Sequence, residues 1–246
     1  MIEGKAQAVN TAIDIQQKDG VTMDQAAIQK FVEYCNRILN FSDIDFQYSY
    51  RSLPVCIIDC VYSLRAQYFS TTVPVVDRYA DMYLHGDKYS SMDTLEDFID
   101  RVDQSGGCEV FAGSILRNKQ SLSGRRKTEI CYELARKMLG LLSINTLEEF
   151  QLYEKTELLD IVLRSVKGFG DAGVNYLYML AGDASKCKPD VHIHQCIEDA
   201  IGEAVSNEQC QFLLTKAVES LGSEHPNLTV RSLDGLIWNK YQIGNR

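Results

Sequence analysis

Two glycines separated by one apolar residue impose the strongest local constraint on this chain. Gly168 and Gly170 flank Phe169, and apolar residues at helical spacing lie on both sides. Glycine has no Cβ, so the backbone can turn sharply and another molecule can approach it closely. The amides that follow lie at a helix N-terminus, where the helix dipole favours an anion such as phosphate. The stretch therefore predicts a tight hairpin between two helices that can bind phosphate.

A carboxylate follows this hairpin after one short helix. Pro189 restricts the backbone just before Asp190, and apolar spacing predicts a helix over 191–201. Asp190 is the candidate N-cap of that helix. A nucleoside-triphosphate loop is excluded, because the glycine spacing differs and the Gly-Lys-Ser/Thr signature is missing.

Together the two segments resemble the helix-hairpin-helix DNA glycosylase superfamily, which includes endonuclease III and the adenine glycosylases. The resemblance implies that hairpin amides bind DNA phosphates. It also implies that Asp190 is the catalytic carboxylate acting on a flipped-out nucleotide. The residues that we assign to DNA binding on this basis are Val166, Lys167, Gly168, Phe169, Gly170, Gln67 and Lys188.

Gln67 enters through a looser resemblance. The pattern predicts an apolar helix over 55–67, closed by Ala66 and Gln67. In family members with such a pair, the second residue inserts into the duplex and fills the gap left by the extruded base. The residues that follow, Tyr68 and Phe69, do not reproduce the family pattern. An exposed glutamine at a helix end therefore remains the alternative interpretation.

The resemblance also implies a reaction type. Family members that cut the strand carry a lysine two positions after the second hairpin glycine, where this chain has Ala172. We therefore expect a monofunctional glycosylase that uses water as the nucleophile. The family's iron–sulfur cluster needs four closely spaced cysteines near the C-terminus, and only Cys210 lies beyond residue 200. We expect no cofactor, apart from a monovalent cation that backbone carbonyls of the hairpin could hold.

The cysteines have two interpretations. His192 and Cys196 lie four residues apart on one helix, with Cys187 nearby, which is the start of a zinc pattern. No second paired motif completes it. The eight cysteines are otherwise scattered over apolar helix faces, which is typical of reduced, buried thiols.

Helical spacing recurs along the whole chain, and no long alternating pattern predicts a strand. We therefore predict an all-α protein of ten or eleven helices with a two-lobed, glycosylase-like fold. The predicted central lobe covers 54–165, and the second lobe combines 1–53 with 183–246. The helix-hairpin-helix motif, 157–181, lies at the cleft between them.

Charge and hydropathy restrict the cellular location and the binding partners that we expect for this chain. No run approaches 18 uncharged apolar residues, and the first 17 residues carry charge, so we expect neither a membrane span nor a signal peptide. A cytoplasmic monomer without a membrane partner is the resulting expectation. The net charge of −9 argues against a general nucleic-acid coat. However, salt screens charges from one another beyond about 8 Å, so the charge of the surface that faces DNA matters more than the net charge.

Cations that could face DNA form two groups, for which solvated loop charges are the alternative. The first contains Arg117, Lys119, Arg125, Arg126 and Lys127, and the second contains Arg164, Lys167, Lys186 and Lys188.

Three functions are consistent with these patterns. The first is a base-excision-repair glycosylase that acts on a damaged or modified base, with DNA as its partner. The second is a non-catalytic helix-hairpin-helix DNA-binding protein, and the third is a helical protein-interaction module. Asp190 favours the first, because a carboxylate on a phosphate-binding surface would repel DNA without a catalytic role. The acidic composition favours the second, or an enzyme with a narrow substrate range.

Overall fold

The computed structural model describes residues 21, 23–44, 50–153 and 156–243. These residues form a predominantly helical protein, so the all-α prediction is confirmed. The α-helices are α1 (Gln25–Ile38), α2 (Leu53–Ser63), α3 (Val73–Tyr83), α4 (Leu95–Gln104), α5 (Cys108–Val110), α6 (Lys127–Leu142), α7 (Leu147–Tyr153), α8 (Glu157–Arg164), α9 (Asp171–Ala181), α10 (Val191–Ile201), α11 (Asn207–Leu221) and α12 (Val230–Ile243).

Shorter elements connect these helices. A 3₁₀ turn covers Phe41–Asp43, and π-helical turns cover Tyr68–Thr72 and Phe111–Ile115. Two strands of two residues, β1 (Ser121–Leu122) and β2 (Arg125–Arg126), pair antiparallel. None of the described helices has the length and apolar character that crossing a bilayer requires.

Buried side chains form two clusters. The first lies within residues 50–181, around helix α2, which is buried along its whole length and packs against α3, α6 and α9. The second cluster joins α1 to α10, α11 and α12. The predicted lobes, 54–165 and 1–53 with 183–246, stay a prediction. Residues 1–20, 22, 45–49, 154–155 and 244–246 lie outside the described chain.

Helix α2 is shorter than predicted and ends at Ser63 rather than at Gln67. Leu64 is extended, and Arg65 has a left-handed backbone with φ 52°. Lys127 is buried. Its ammonium donates to the backbone carbonyl of Leu64 at 2.8 Å and to that of Tyr62, in the last turn of α2, at 2.9 Å. These bonds satisfy carbonyls that a longer helix would have used, so the chain turns outward before Gln67.

Apolar spacing predicts a helix over 125–142, but helix α6 begins two residues later, at Lys127. Arg125 and Arg126 form strand β2 instead. The turn before β2 has left-handed backbone at Ser123 and Gly124, as a two-residue hairpin turn requires, so the chain pairs as a short hairpin before the helix begins.

All eight cysteines are free thiols, and seven of them are buried. Burial raises the pKa of several of them: that of Cys108 rises to about 11 and that of Cys210 to about 12. Burial also raises the pKa values of Cys56 and Cys131. The native state therefore holds these thiols in the neutral form.

These thiols predict how stability depends on pH. An unfolded thiol titrates near about pH 8.5, so above that pH the unfolded chain loses protons that the native chain keeps. The free energy of unfolding should therefore fall between about pH 8.5 and about pH 10, by up to about 1.4 kcal/mol per pH unit for each thiol whose pKa burial raises. Urea unfolding under reducing conditions measures this slope. Cys131→Ala should reduce it, and a constant free energy over this range would contradict the account.

Candidate functional site

A cleft of about 870 Å³ is lined by segments that lie far apart in the sequence, from Ser63 to Gln242. Its first wall is the stretch between α2 and α3, and its second is the turn between α8 and α9. The third is the loop before α10, together with residues of α12. The lining residues used below are Ser63, Arg65, Gln67, Tyr68, Phe69, Gly168, Gly170, Asp171, Ala172, Gly173, Lys188, Asp190, His192 and Trp238.

The turn between α8 and α9 exposes backbone amides to the cleft. Gly168 has φ 94°, in the left-handed region that favours glycine. Gly170 is the N-cap of α9, and no other atom lies within 4 Å of a Cβ built on it. Within the described chain, no acceptor is found for the amides of Gly168 and Gly170. Both glycines line the cleft, and their amides at the N-terminus of α9 have no hydrogen-bond partner among the described residues.

The side chains of this turn serve the core. Val166 and Phe169 are buried, and a Cβ at Gly173 would lie 2.7 Å from an atom of the Phe169 ring. Gly173 is therefore the position that lets this ring pack against α9. Val166 and Phe169 are both predicted to bind DNA, but their side chains are buried. Only their backbone atoms can therefore contact a ligand.

Charges around the turn are largely balanced. Arg164 pairs with Asp171, and its second contact is Asp160 at 3.6 Å. Lys167 is exposed and forms no ion pair within the described chain, and its carbonyl accepts a hydrogen bond from Arg125 at 3.3 Å. Lys167 is therefore the cation of this turn that can bind an incoming phosphate.

Asp190 caps helix α10 with one of its two carboxylate oxygens. Its Oδ1 accepts from the backbone N–H of His192 at 2.9 Å and of Ile193 at 3.3 Å. Its Oδ2 has no hydrogen-bond partner among the described residues, and the side chain is half-buried in the cleft wall. Hydrogen bonds to Oδ1 therefore fix the Asp190 side chain, and Oδ2 is free to bind a ligand.

Gln67 lines the cleft. Its carbonyl accepts from Thr71 at 3.0 Å, at the start of the π-helical turn, and its side chain is exposed. No hydrogen bond holds its amide group within the described chain. Gln67 is thus a projecting loop residue and not the last residue of a helix.

An aromatic wall completes the cleft, and sequence patterns did not indicate it. Tyr68, Phe69 and Trp238 contact one another with ring centres 5.6–5.9 Å apart. The ring of His192 lies 6.2 Å from that of Trp238. Phe69 is 53% exposed. Apolar spacing over 228–241 predicts a helix with Trp238 in the core, but Trp238 is only partly buried. Such rings offer flat apolar faces on which a base can stack.

Lys188 extends along the floor of the cleft. Its ammonium donates to Ser63 Oγ at 3.0 Å and lies 3.9 Å from the centre of the Tyr176 ring. Its backbone N–H donates to Asp234, whose pKa burial raises to about 8. These contacts direct Lys188 inward, away from the outer surface where a phosphate contact was expected.

The other predicted groups are dispersed. Arg125 pairs with Glu133 at 2.7 Å and Arg126 with Glu109 at 2.8 Å, so much of the first basic group is engaged in ion pairs. Cys187 and Cys196 are buried in the second cluster, whereas His192 faces the cleft. Within the described residues, no group of three metal-binding side chains converges.

The chain belongs to the family described as a domain of unknown function, DUF8548, whose model matches residues 29–242. No curated protein and no solved structure matches the chain. A functional assignment therefore rests on the residues of the cleft.

The capping role of Asp190 can be separated from any chemical role. Asp190→Ala removes the acceptor for two helix amides and should lower the free energy of unfolding by about 0.5–2 kcal/mol. Asp190→Asn keeps a capping oxygen and should change stability far less, because Asn and Asp are comparable N-caps. Urea unfolding measures both variants. Equal losses would show that the carboxylate charge, and not the cap, stabilises α10.

Proposed function

We propose that this member of the DUF8548 family is a monofunctional DNA N-glycosylase with a helix-hairpin-helix, glycosylase-like fold. On this proposal the α8–α9 turn is the hairpin, and the cleft binds duplex DNA with one nucleotide extruded. The reaction is hydrolysis of the bond between that base and its sugar. DNA is the partner, and no resident cofactor takes part.

One observation carries the proposal. Asp190, Gln67 and the unpaired amides of Gly168 and Gly170 line one cleft, although they come from segments far apart in the sequence. Each has the exposure that its proposed role requires. The amides can bind phosphate, the free Oδ2 can face the sugar, and Gln67 can enter the duplex. The aromatic wall adds a surface for the extruded base.

The proposed mechanism uses Asp190 in two ways. As the glycosidic bond breaks, electrons pass to the departing base, and the sugar acquires oxocarbenium character. The carboxylate stabilises that positive charge and accepts a proton from the water that attacks C1′. Ala172 cannot attack C1′, so no covalent intermediate forms at the position where lyase-active family members use lysine.

Local charge makes DNA binding compatible with the net charge of −9. The lining contains the cations Arg65 and Lys188 and the anions Asp171 and Asp190, and Arg164 pairs with one of these anions. The cleft is therefore close to neutral, and Lys167 adds a free cation beside the hairpin. Because few cations are available to neutralise phosphates, the affinity for DNA should depend only modestly on salt concentration.

A non-catalytic DNA-binding protein is the second candidate. It is favoured by the capping bonds of Asp190, which give this carboxylate a structural reason to be present. A clamp of this kind would bind DNA through the same amides and release no base.

Gly170 provides a clean test of the hairpin. Its backbone (φ −98°, ψ −167°) accepts any residue, and its Cβ position is empty. Gly170→Val should therefore cost the free protein only about 1 kcal/mol at the N-cap. It should weaken DNA binding at least about tenfold, because the new methyl groups block the approach of phosphate to the amides. Fluorescence anisotropy with a labelled duplex measures this.

Gly140→Val is the matched control, since Gly140 is exposed, lies outside the cleft and has an empty Cβ position. Gly168 suits this test poorly, because a side chain at φ 94° is strained and its Cβ would lie 3.3 Å from Ile130. Lys167→Ala should weaken binding less and reduce the salt slope by about one phosphate. Unchanged affinity in Gly170→Val would remove the hairpin from DNA binding.

The reaction is tested with Asp190→Asn, which keeps the cap. Single-turnover base release from a panel of duplexes, each containing one damaged base, should slow by about 100- to 10,000-fold, with DNA affinity retained. Borohydride should trap no covalent protein–DNA adduct. An adduct lost on replacing Lys167 or Lys188 would show lyase chemistry instead. No release from any duplex, with binding intact, would favour the clamp.

A further inference from the structure

The ammonium of Lys188 is a fixed cation on the floor of the cleft. Ser63 Oγ accepts one of its N–H groups at 3.0 Å, and that hydroxyl donates in turn to the Cys60 carbonyl at 2.8 Å. The Tyr176 ring lies 3.9 Å from Nζ. Only Ser63 provides a hydrogen-bond acceptor for this ammonium within the described chain, so further N–H groups remain for a ligand.

A buried carboxylate lies close to this cation. Asp59 is 1% exposed, and three tyrosine hydroxyls, those of Tyr50, Tyr68 and Tyr176, donate to it at 2.7–3.0 Å. Tyr176 connects these two side chains, because its hydroxyl donates to Asp59 and the Lys188 ammonium lies over its ring. Lys188 therefore interacts electrostatically with a carboxyl group inside the protein.

From this geometry we infer that Lys188 recognises the extruded base, and that the substrate is a neutral base with a carbonyl oxygen at that edge. This inference rests on the proposed function. It assigns Lys188 to the base and not to the DNA backbone. Bases of this class include uracil, hypoxanthine and oxidised purines, whereas ring-alkylated cationic bases are excluded.

Two physical reasons select that class. An ammonium has only donors, so it binds a carbonyl oxygen and leaves an exocyclic amino group without an acceptor. A neutral base also leaves with the electron pair of the broken C1′–N bond, and the negative charge spreads onto its carbonyl oxygens. The fixed cation stabilises this developing charge. A cationic alkylated base leaves as a neutral molecule, gains nothing from Lys188 and is repelled by it before the reaction.

The test compares base release from duplexes carrying a single uracil, hypoxanthine, 8-oxoguanine or 7-methylguanine. Lys188→Met keeps the apolar stem on Tyr176 and removes the charge. It should slow release of the preferred neutral base by roughly 100-fold, leave release of 7-methylguanine unchanged or faster, and leave DNA affinity within about threefold of wild type. Lys188→Arg should restore part of the rate.

Two further variants test whether the effect depends on the position of the Lys188 charge. Lys186→Met removes a lysine of the same loop that lies outside the cleft lining, with its Nζ 5.8 Å from the Tyr178 ring, and should not alter the ratio between the two base classes. Ser63→Ala keeps Lys188 but removes the acceptor that holds it. This variant should slow release of the neutral base by roughly fivefold.

The outcomes distinguish the inference from the function on which it rests. Release of 7-methylguanine alone, or equal slowing of both classes by Lys188→Met, overturns the inference and leaves a glycosylase. Loss of DNA affinity in Lys188→Met shows a phosphate contact and also overturns it. Release of none of the four bases overturns the inference, and intact binding then favours the clamp.

Discussion

The buried carboxylate of Asp59 is the interaction on which the rest of the cleft depends. Desolvation raises its pKa, and its two oxygens accept hydrogen bonds from three tyrosines. Those tyrosines belong to three different parts of the fold: Tyr50 precedes α2, Tyr68 opens the π-helical turn, and Tyr176 lies in α9. A buried carboxylate without these donors would cost several kcal/mol, so the three segments are tied to one point.

That arrangement explains how distant segments form one surface. Tyr68 bonds Asp59 with its hydroxyl and contacts Phe69 and Trp238 with its ring, so the core network also positions the aromatic wall. Lys127 fixes the end of α2 and directs the chain toward Gln67. The α8–α9 turn is anchored by the buried side chains of Val166 and Phe169 and by the hydrogen bond from Arg125 to the Lys167 carbonyl. Asp190, as the N-cap of α10, is thus fixed in the cleft, as preorganised catalysis requires, whereas Gln67 projects from a loop.

Local parts of this site could be predicted from the sequence, because short-range rules determine them. Asp190 caps α10, and α10 begins and ends where its apolar spacing predicted, since a cap and a 3.6-residue period are properties of one segment. The inward path of Lys188 and the partly exposed position of Trp238 could not be predicted. Both depend on packing between segments more than 100 residues apart, and no periodic pattern reports such contacts.

The central claim of the proposed function is that the side chain of Asp190 faces an oxocarbenium-like sugar in this cleft. The most direct test is the affinity for a duplex containing a cationic pyrrolidine abasic analogue, compared with the same duplex containing neutral tetrahydrofuran. The account predicts that the wild-type protein binds the cationic analogue at least about 100-fold more tightly, as expected of a transition-state mimic, and that Asp190→Asn loses this preference. Equal affinity for the two duplexes in the wild-type protein would contradict it.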